Sequence, residues 1–430
     1  MAINYDLVVK NGNVYTPEGL KHIDIWIKGG KIGSLGGPHD AEEKIDVHGK
    51  LVLPGAIDVH VHFRDPGPTY KENWESGSVS AVAGGVTTVI DQPNTEPRTW
   101  DAKSFELKLD LAKHRSVVDF CINGGPGIIN ELIRSGAAAI GEIFSYEHSD
   151  VQLQNIFKEV EKANALATVH CEDGEAIRNE TEIWAHLRDP IVYSKARPSK
   201  AEVIAIEKAL AWSRNLHICH LSTQAGLERI IEAKRKGSKV TCEVTPHHLF
   251  FDVKDYRKHG SFLKINPPLR NSEDCNALWA GLGNGSVDIL ASDHAPHLPE
   301  EKKDDIWEAP PGIPGVETML PLMLLSVKRN LLSLDRLVDA ISARPAKIFG
   351  LKSKGNIEVG KDADLVIVDP KRVSQIDADK LHSRADWTPY QGSPAIFPQI
   401  TLVRGQIVYA GGLEVRPGYG RFIERQKILS

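Results

Sequence analysis

Between residues 55 and 345 the sequence alternates short apolar segments of β character with amphipathic helical segments. The helical pattern is clearest at 104–113, 152–163, 200–213 and 225–236. The β segments lie at 57–63, 86–91, 117–122, 138–144, 165–170, 216–220, 239–244 and 287–292. Eight such strands with helical connections predict an α/β fold, a (β/α)8 TIM-like barrel over 55–345. An open, doubly wound parallel sheet is the alternative that this pattern leaves.

The two ends of the chain have a different pattern, short strands separated by Asn-Gly and Gly-Gly pairs. Such pairs favour the tight turns of β-hairpins. The strand-like segments are 5–10, 23–27, 31–35, 363–368, 400–403 and 407–409. Short strands from one end alone would not bury their apolar faces, so we expect both ends to form one sheet domain. We predict a smaller, discontinuous β-sandwich domain from residues 1–54 and 346–430.

Composition places the chain among globular proteins and excludes several classes of partner. Hydrophobic residues make up 41% and charged residues 25% of the 430 residues, unlike disordered or fibrous proteins. The formal net charge of −5 gives no general attraction to nucleic acid or to an anionic membrane. The first residues lack the layout of a signal peptide, and no apolar run approaches the roughly 18 residues of a membrane span. We expect a soluble, cytoplasmic protein with reduced, buried cysteines.

Histidines and an aspartate stand where four of the predicted barrel strands end. His60 and His62 share one face of the first strand, about 7 Å apart, because side chains alternate along a strand. His170, His220 and Asp293 follow three later strands. The carboxyl ends of barrel strands meet at one mouth, so these groups are predicted to converge on a metal. Imidazole and carboxylate without thiolate suit Zn²⁺, and also Mn²⁺, Co²⁺ or Fe²⁺.

Glu142 is the acidic residue within the apolar fourth strand. Burying its charge without a cation would be costly, and two nearby metal ions need an anion between them. We therefore predict that Glu142 bridges two ions. The alternative is a glutamate held in a salt bridge inside the barrel.

Other polar residues near these strands have structural interpretations. Cys171 and Cys219 neighbour metal-site histidines in the sequence, so strand alternation predicts that they face the opposite side. His247 and His248 follow the seventh strand, and we predict that they make structural hydrogen bonds. The charged run at 300–305 is predicted to be a solvated loop.

Several segments carry a resemblance that covers essentially the whole chain. The chain resembles the amidohydrolase superfamily and, within it, the dihydroorotase family. The matching segments are DVHVHFRDPG at 58–67, YKE at 70–72, AGGVTT at 83–88, PNT at 93–95, NPPLR at 266–270 and SDHAPH at 292–297. Metal-site histidines are shared by many amidohydrolases, whereas the contexts of Arg64, Asn94 and Asn266 are much narrower.

The resemblance implies a metal site with about two Zn²⁺ per chain. One ion would be held by His60, His62 and Asp293, and the other by His170 and His220. Many relatives carry a carboxylated lysine between the two ions, and some dihydroorotases an aspartate, where this chain has Glu142. Asp293 would also be the catalytic general base and acid.

The resemblance also implies a substrate site and a reaction. The α-carboxylate would be bound by Arg64, Asn94 and His297, and the ring or ureido group by Asn266. His62, Phe63 and the main chain of Pro311 and Gly312 would also contact the substrate. The implied activity is the reversible cyclisation of N-carbamoyl-L-aspartate to L-dihydroorotate plus water, a step of de novo pyrimidine (UMP) biosynthesis.

Three alternatives to this activity remain at this stage. Allantoinases and hydantoinases share the metal site but not the carboxylate pocket. A non-catalytic scaffold on the same fold would assemble with partner subunits, and such proteins typically lose metal ligands. The resemblance further implies, as alternative assemblies, a homo-oligomer or a complex with aspartate carbamoyltransferase.

Overall fold

The computed structural model describes residues 4–425, so residues 1–3 and 426–430 of the predicted terminal domain lie outside the described residues. In chain order the strands are β1 (Asn4–Thr16), β2 (Gly19–Lys28), β3 (Lys31–Leu35), β4 (Asp40–Asp46), β5 (Leu51–Pro54), β6 (Ala56–Val61), β7 (Val86–Asp91), β8 (Asp119–Ile122), β9 (Ile140–Phe144), β10 (Ala167–His170), β11 (Asn215–Ile218), β12 (Lys239–Val244), β13 (Ile289–Leu290), β14 (Leu365–Val368), β15 (Ser374–Gln375), β16 (Pro394–Ala395), β17 (Ile400–Val403) and β18 (Gln406–Tyr409).

The α-helices lie mainly between the strands of the central part of the chain. In chain order they are α1 (Trp74–Ala83), α2 (Ala102–Arg115), α3 (Ile129–Arg134), α4 (Asp150–Lys162), α5 (Gly174–Trp184), α6 (Val192–Ala196), α7 (Ser199–Trp212), α8 (Gln224–Arg235), α9 (Pro246–Phe250), α10 (Tyr256–His259), α11 (Ser272–Asn284), α12 (Pro299–Lys302), α13 (Val316–Lys328), α14 (Leu334–Val338) and α15 (Arg344–Phe349).

Strands β6 to β13 form a closed ring of parallel strands. β6, β7 and β8 are hydrogen-bonded in that order, and β9 to β13 form a second set. Bridges between Gly124 and Ile140 and between Val61 and His294 join the two sets on both sides. This closure confirms the predicted (β/α)8 barrel and excludes the open sheet, which would leave two edges.

The helices pack their apolar faces against the outside of this ring. In α4 the buried side chains are Leu153, Phe157 and Val160, whose spacing of four and three residues puts them on one face. Ser149 begins the helix, because its side chain accepts a hydrogen bond from the backbone of Gln152 while the Gln152 side chain bonds back. Local sequence therefore determines both where α4 begins and which face it buries.

The two ends of the chain meet in one eight-stranded sheet, with strand order β18-β17-β14-β5-β1-β2-β3 and β4 paired to β1. β5 pairs antiparallel with β14, which joins the N-terminal strands to the C-terminal ones. The sheet encloses its own core, in which Val9 and Ile25 pack with Leu365 and Leu402. The predicted fold class, a barrel with a β domain built from both termini, is confirmed. The boundaries 1–54, 55–345 and 346–430 stay a prediction.

Two further structural facts concern the cysteines and the character of the helices. All five cysteines are free and buried, as predicted. Among the helices described between residues 4 and 425, none combines the length and the apolar character needed to cross a membrane.

Candidate active site

A cavity of about 430 Å³ opens at the carboxyl ends of the barrel strands. The parallel strands all end at this mouth, so side chains that are distant in sequence meet there. Of the predicted site residues, those that line the cavity are His62, Arg64, Asn94, Glu142, His170, His220, Asn266, Asp293, His297, Pro311 and Gly312.

Four side-chain atoms converge at one side of the cavity floor. His60 Nε2 lies 3.4 Å from Glu142 Oε2 and 3.5 Å from Asp293 Oδ1. His62 Nε2 lies 3.2 Å from the same Asp293 oxygen and 3.8 Å from the same Glu142 oxygen. Two ligand atoms at ~2.0 Å from a tetrahedral metal are about 3.3 Å apart. The spacing of these four atoms therefore suits one divalent cation.

The other oxygen of Glu142 faces a second pair of histidines. Glu142 Oε1 lies 2.7 Å from His220 Nε2 and 3.1 Å from His170 Nδ1. Each carboxylate oxygen of Glu142 thus has its own pair of imidazoles. This is the arrangement that a carboxylate between two cations would adopt.

The chemistry of this cluster fits a metal. His60 Nε2 is buried and has no hydrogen-bond partner among the described residues, although it lies between two carboxylates. Within residues 4–425, each group of side chains whose donor atoms converge closely enough for a metal includes His60. A cation would supply the missing partner for this nitrogen. The described residues thus contain candidate metal clusters, as is typical of metal-dependent hydrolases.

At Glu142 and His60, neighbouring charges oppose the effect of burial on the pKa. Burial would raise the pKa of Glu142, but the charge of His60 and hydrogen bonds with His170 and His220 hold it well below its ordinary value. Burial would lower the pKa of His60, but the carboxylates of Glu243 and Glu142 raise it well above its ordinary value. The buried carboxylates therefore need compensating positive charge at this place.

A second layer of hydrogen bonds orients the imidazoles. His60 Nδ1 lies 2.5 Å from Glu243 Oε1, and His170 Nε2 lies 2.7 Å from Glu172 Oε2. Such contacts fix which ring nitrogen is free to face a metal. Neither Glu243 nor Glu172 was predicted from the sequence to belong to the site. Glu243 could have been predicted by the argument applied to Glu142, because it is also an acidic residue in an apolar strand.

Next to the metal cluster is a pocket of hydrogen-bond donors. The Arg64 Nε is buried and has no hydrogen-bond partner in the described part of the chain, and Arg64 Nη2 lies 3.3 Å from His297 Nε2. Asn94 Oδ1 lies 2.7 Å from His62 Nδ1 and accepts its proton, which leaves the Asn94 amide NH₂ as a donor. Asn266 Oδ1 accepts a hydrogen bond of 2.6 Å from the Tyr193 hydroxyl. Within residues 4–425, the pocket thus has hydrogen-bond donors, Arg64 Nε among them, that no side chain accepts.

The loop after the last strand closes one wall of this pocket. His297 Nε2 lies 3.1 Å from the carbonyl oxygen of Pro311. Gly312 has φ +134°, and a Cβ there would lie 2.5 Å from the Ala295 carbonyl oxygen. The close approach of the loop to the strand end therefore requires glycine at this position.

Two predicted site residues lie outside the cavity lining. His60 is buried beneath it and takes part in the metal cluster. The Phe63 ring packs edge-on against Trp74 and against His294, and its backbone N–H donates to Asp91 at 2.8 Å.

The prediction that Cys219 faces away from the site is wrong. Its sulfur lies within 4.8 Å of donor atoms of His60 and Glu243, and His60 is part of the metal cluster. Strand β11 ends at Ile218 and the backbone turns at His220, whose φ is +30°, so the alternation assumed for these residues does not apply. His248 makes the predicted structural hydrogen bonds, at 2.8 Å to the Thr245 hydroxyl and 3.0 Å to the Pro267 carbonyl.

The prediction that the charged run at 300–305 is a solvated loop is wrong for Lys302. Lys302 is completely buried, and its Nζ donates to the carbonyls of Lys264, Pro310 and Gly312 at 3.0, 2.9 and 3.1 Å. Glu301, beside it, lies 2.7 Å from Lys71 Nζ. Both residues support the loop and the histidine that line the pocket.

Comparisons with known proteins agree with this geometry. A dihydroorotase of Methanosarcina acetivorans is 46% identical, over 97% of this chain and 95% of that protein. An allantoinase of Escherichia coli is 35% identical, over 98% of this chain and 99% of that protein. The structure of the L-hydantoinase (dihydropyrimidinase) from Arthrobacter aurescens superposes with a TM-score of 0.94 at 34% identity, covering 98% of this chain and 100% of that one. Because the amidohydrolase family description also matches residues 51–408, the chain belongs to the amidohydrolase family and is a hydrolase that acts on cyclic amides.

Proposed function

We propose that this hydrolase is a dihydroorotase, which interconverts N-carbamoyl-L-aspartate and L-dihydroorotate plus water in pyrimidine biosynthesis. The observation that carries the proposal is the buried Arg64 guanidinium, which stands beside the metal cluster and whose Nε has no partner within residues 4–425. A planar fork of donors matches a carboxylate in two-point contact. Dihydroorotate carries such a carboxylate on its ring, whereas allantoin and simple hydantoins do not. The identity to the archaeal dihydroorotase supports the same substrate.

We propose two Zn²⁺ ions per chain for this site. His60, His62 and Asp293 would hold one ion, His170 and His220 the other, and Glu142 would contact both. When bound, the ions supply positive charge that polarises the ring carbonyl and acidifies the attacking water.

Asp293 is proposed to move the proton. Burial would raise the pKa of Asp293, but its hydrogen bond with His62 and the charges of His60 and His220 hold it below its ordinary value. The carboxylate is therefore ionised and can accept the proton of the attacking water. It then delivers this proton to the ring nitrogen that leaves. The condensation uses the same group in the opposite order.

The donor pocket is proposed to orient the ring. Arg64 would bind both oxygens of the α-carboxylate, with further donors from the Asn94 amide and from His297. Asn266 would contact the ring or ureido group. Three donors around one anion fix the ring carbonyl relative to the metal cluster, which reduces the entropic part of the barrier.

A substrate panel tests the proposed function directly. The protein is stripped with a chelator, reconstituted with Zn²⁺, and assayed with L-dihydroorotate, dihydrouracil, hydantoin and allantoin. We expect turnover of dihydroorotate only after reconstitution, with kcat/KM at least about 100-fold above that of the carboxylate-free rings, as expected for a lost two-point ionic contact. Faster turnover of allantoin or hydantoin by the same preparation would contradict the proposal.

Replacing Arg64 separates binding of the carboxylate from chemistry. For Arg64→Met we expect KM for dihydroorotate to rise about 100-fold, because a charged two-point contact is lost. The panel of carboxylate-free rings should be hydrolysed no worse than by the parent protein. Arg188→Met, which removes a guanidinium whose side chain is 62% exposed, is the control and should leave KM unchanged. An unchanged KM in Arg64→Met would remove Arg64 from the substrate site.

The assembly of the chain stays a prediction. The family resemblance implies one of two assemblies, a homo-oligomer or a complex with aspartate carbamoyltransferase. Sedimentation of the protein, alone and mixed with that enzyme, distinguishes them.

A further inference from the structure

Lys71 contacts His297 without lining the cavity itself. Its Nζ lies 3.1 Å from His297 Nδ1, and Glu301 Oε1 holds the same ammonium at 2.7 Å. The Lys71 side chain is only 13% exposed. The ammonium is thus fixed in place by α12 and directed at one nitrogen of a pocket histidine.

The partners of the His297 ring decide between its two neutral tautomers. An ammonium can only donate, so the nitrogen that faces Lys71 must accept, and the proton must be on Nε2. Without substrate that proton is donated to the Pro311 carbonyl, 3.1 Å away, and an anion bound between His297 and Arg64 would share it or take it over. In the other tautomer an N–H would face the ammonium, and only the longer 3.3 Å contact with Arg64 would remain for Nε2. The tautomer with the proton on Nε2 satisfies both the Lys71 ammonium and the Pro311 carbonyl. It also leaves the Arg64 guanidinium free.

The charges around His297 also keep it neutral. Burial lowers its pKa, and the nearby charges of Arg64, Lys71 and Lys302 lower it further. A second proton on the ring would have to occupy Nδ1, where the Lys71 ammonium, at 3.1 Å, is nearer than the Glu301 carboxylate, at 3.7 Å. The ring therefore carries one N–H, at Nε2, where Arg64 and Pro311 line the cavity.

We propose that Lys71, held by Glu301, is a positioning residue that fixes His297 as a hydrogen-bond donor towards an anionic ring substituent. The proposal rests on the proposed function for the identity of that substituent, the α-carboxylate. With the proton on Nδ1 instead, Nε2 would present a lone pair to the carboxylate and repel it. Lys71 therefore contributes to the preference for a carboxylated ring without contacting the substrate.

The first test reads the tautomer directly and requires no substrate. Long-range ¹H–¹⁵N correlation spectra of the Zn²⁺-loaded protein distinguish a protonated ring nitrogen from an unprotonated one. The His297 signals are assigned by their loss in His297→Asn. We expect Nε2–H in the parent and in Lys71→Arg, and a mixture or Nδ1–H in Lys71→Met. An unchanged His297 tautomer in Lys71→Met would overturn the proposal, whatever the enzyme hydrolyses.

The second test measures kcat and KM of the same variants. For Lys71→Met we expect KM for dihydroorotate to rise about tenfold with kcat changed less than about twofold, which corresponds to one weakened hydrogen bond to a charged group. Lys71→Arg should restore most of the affinity. Lys303→Met removes a lysine that is 65% exposed and 4.0 Å from Glu300, and it should change neither constant.

The two tests together separate this proposal from the proposed function. A shifted tautomer with an unchanged KM would overturn the link between Lys71 and substrate binding. If Lys71→Met lowers both kcat and thermal stability, and Lys71→Arg restores neither, the role of Lys71 is structural only. That result would also overturn the proposal. If the parent protein does not turn over dihydroorotate, the proposed function fails, while the spectra still decide whether Lys71 sets the tautomer.

Discussion

Asp293→Asn is expected to lower kcat for dihydroorotate hydrolysis by at least about 10³-fold, the range of a lost general base. An amide keeps the shape of the carboxylate but cannot accept the proton of the attacking water. Its oxygen can still face His60 and His62, which lie 3.5 and 3.2 Å from Asp293 Oδ1. We therefore expect the variant to fold and to keep most of its metal.

The measurements for Asp293→Asn are kcat in both directions, metal content and the thermal unfolding midpoint. A loss in both directions is required, because one group serves hydrolysis and condensation. Asp304→Asn, in the exposed part of the 300–305 segment, is the control and should behave like the parent. Activity of Asp293→Asn within about tenfold of the parent would remove Asp293 from the proton transfer.

Local pattern was sufficient to predict the barrel and the convergence of its strand ends. His60 lies in β6, and His62 follows its last residue, Val61; the chain takes a positive φ only at Arg64, so alternation still gave the correct face. The same rule failed for Cys219, because β11 ends at Ile218 and His220 has φ +30°. Alternation predicts side-chain direction only as far as the backbone stays extended.

Residues that support the site were harder to predict, because their partners are distant in sequence. Glu243 meets His60 across 183 positions, and only the closure of the barrel brings the two together. Lys302 looks like one more charge in a polar run, yet its partners are main-chain carbonyls of two other loops. Every residue has a main-chain carbonyl, so the sequence does not indicate which carbonyls will be buried and need a donor.

Glu142→Gln is expected to reduce the metal content from about two ions to one or fewer per chain and to lower kcat by at least about 10³-fold. In the parent each oxygen of Glu142 faces one pair of imidazoles, at 3.4 Å from His60 and 2.7 Å from His220. The amide keeps this shape but removes the negative charge that would be shared between two divalent cations. Cations held close together by neutral imidazoles repel each other strongly when that charge is lost.

Metal analysis after dialysis, with and without bicarbonate during reconstitution, tests the role of Glu142. A glutamate carries its charge without carboxylation, so bicarbonate should not change the metal content of the parent, unlike a site built on a carboxylated lysine. Glu317→Gln is the matched control, since it neutralises another buried glutamate, bonded to Ser80 and His382 rather than to the cluster. Two ions retained in Glu142→Gln would mean that the carboxylate does not bridge, and that Glu142 is a barrel glutamate paired with histidines.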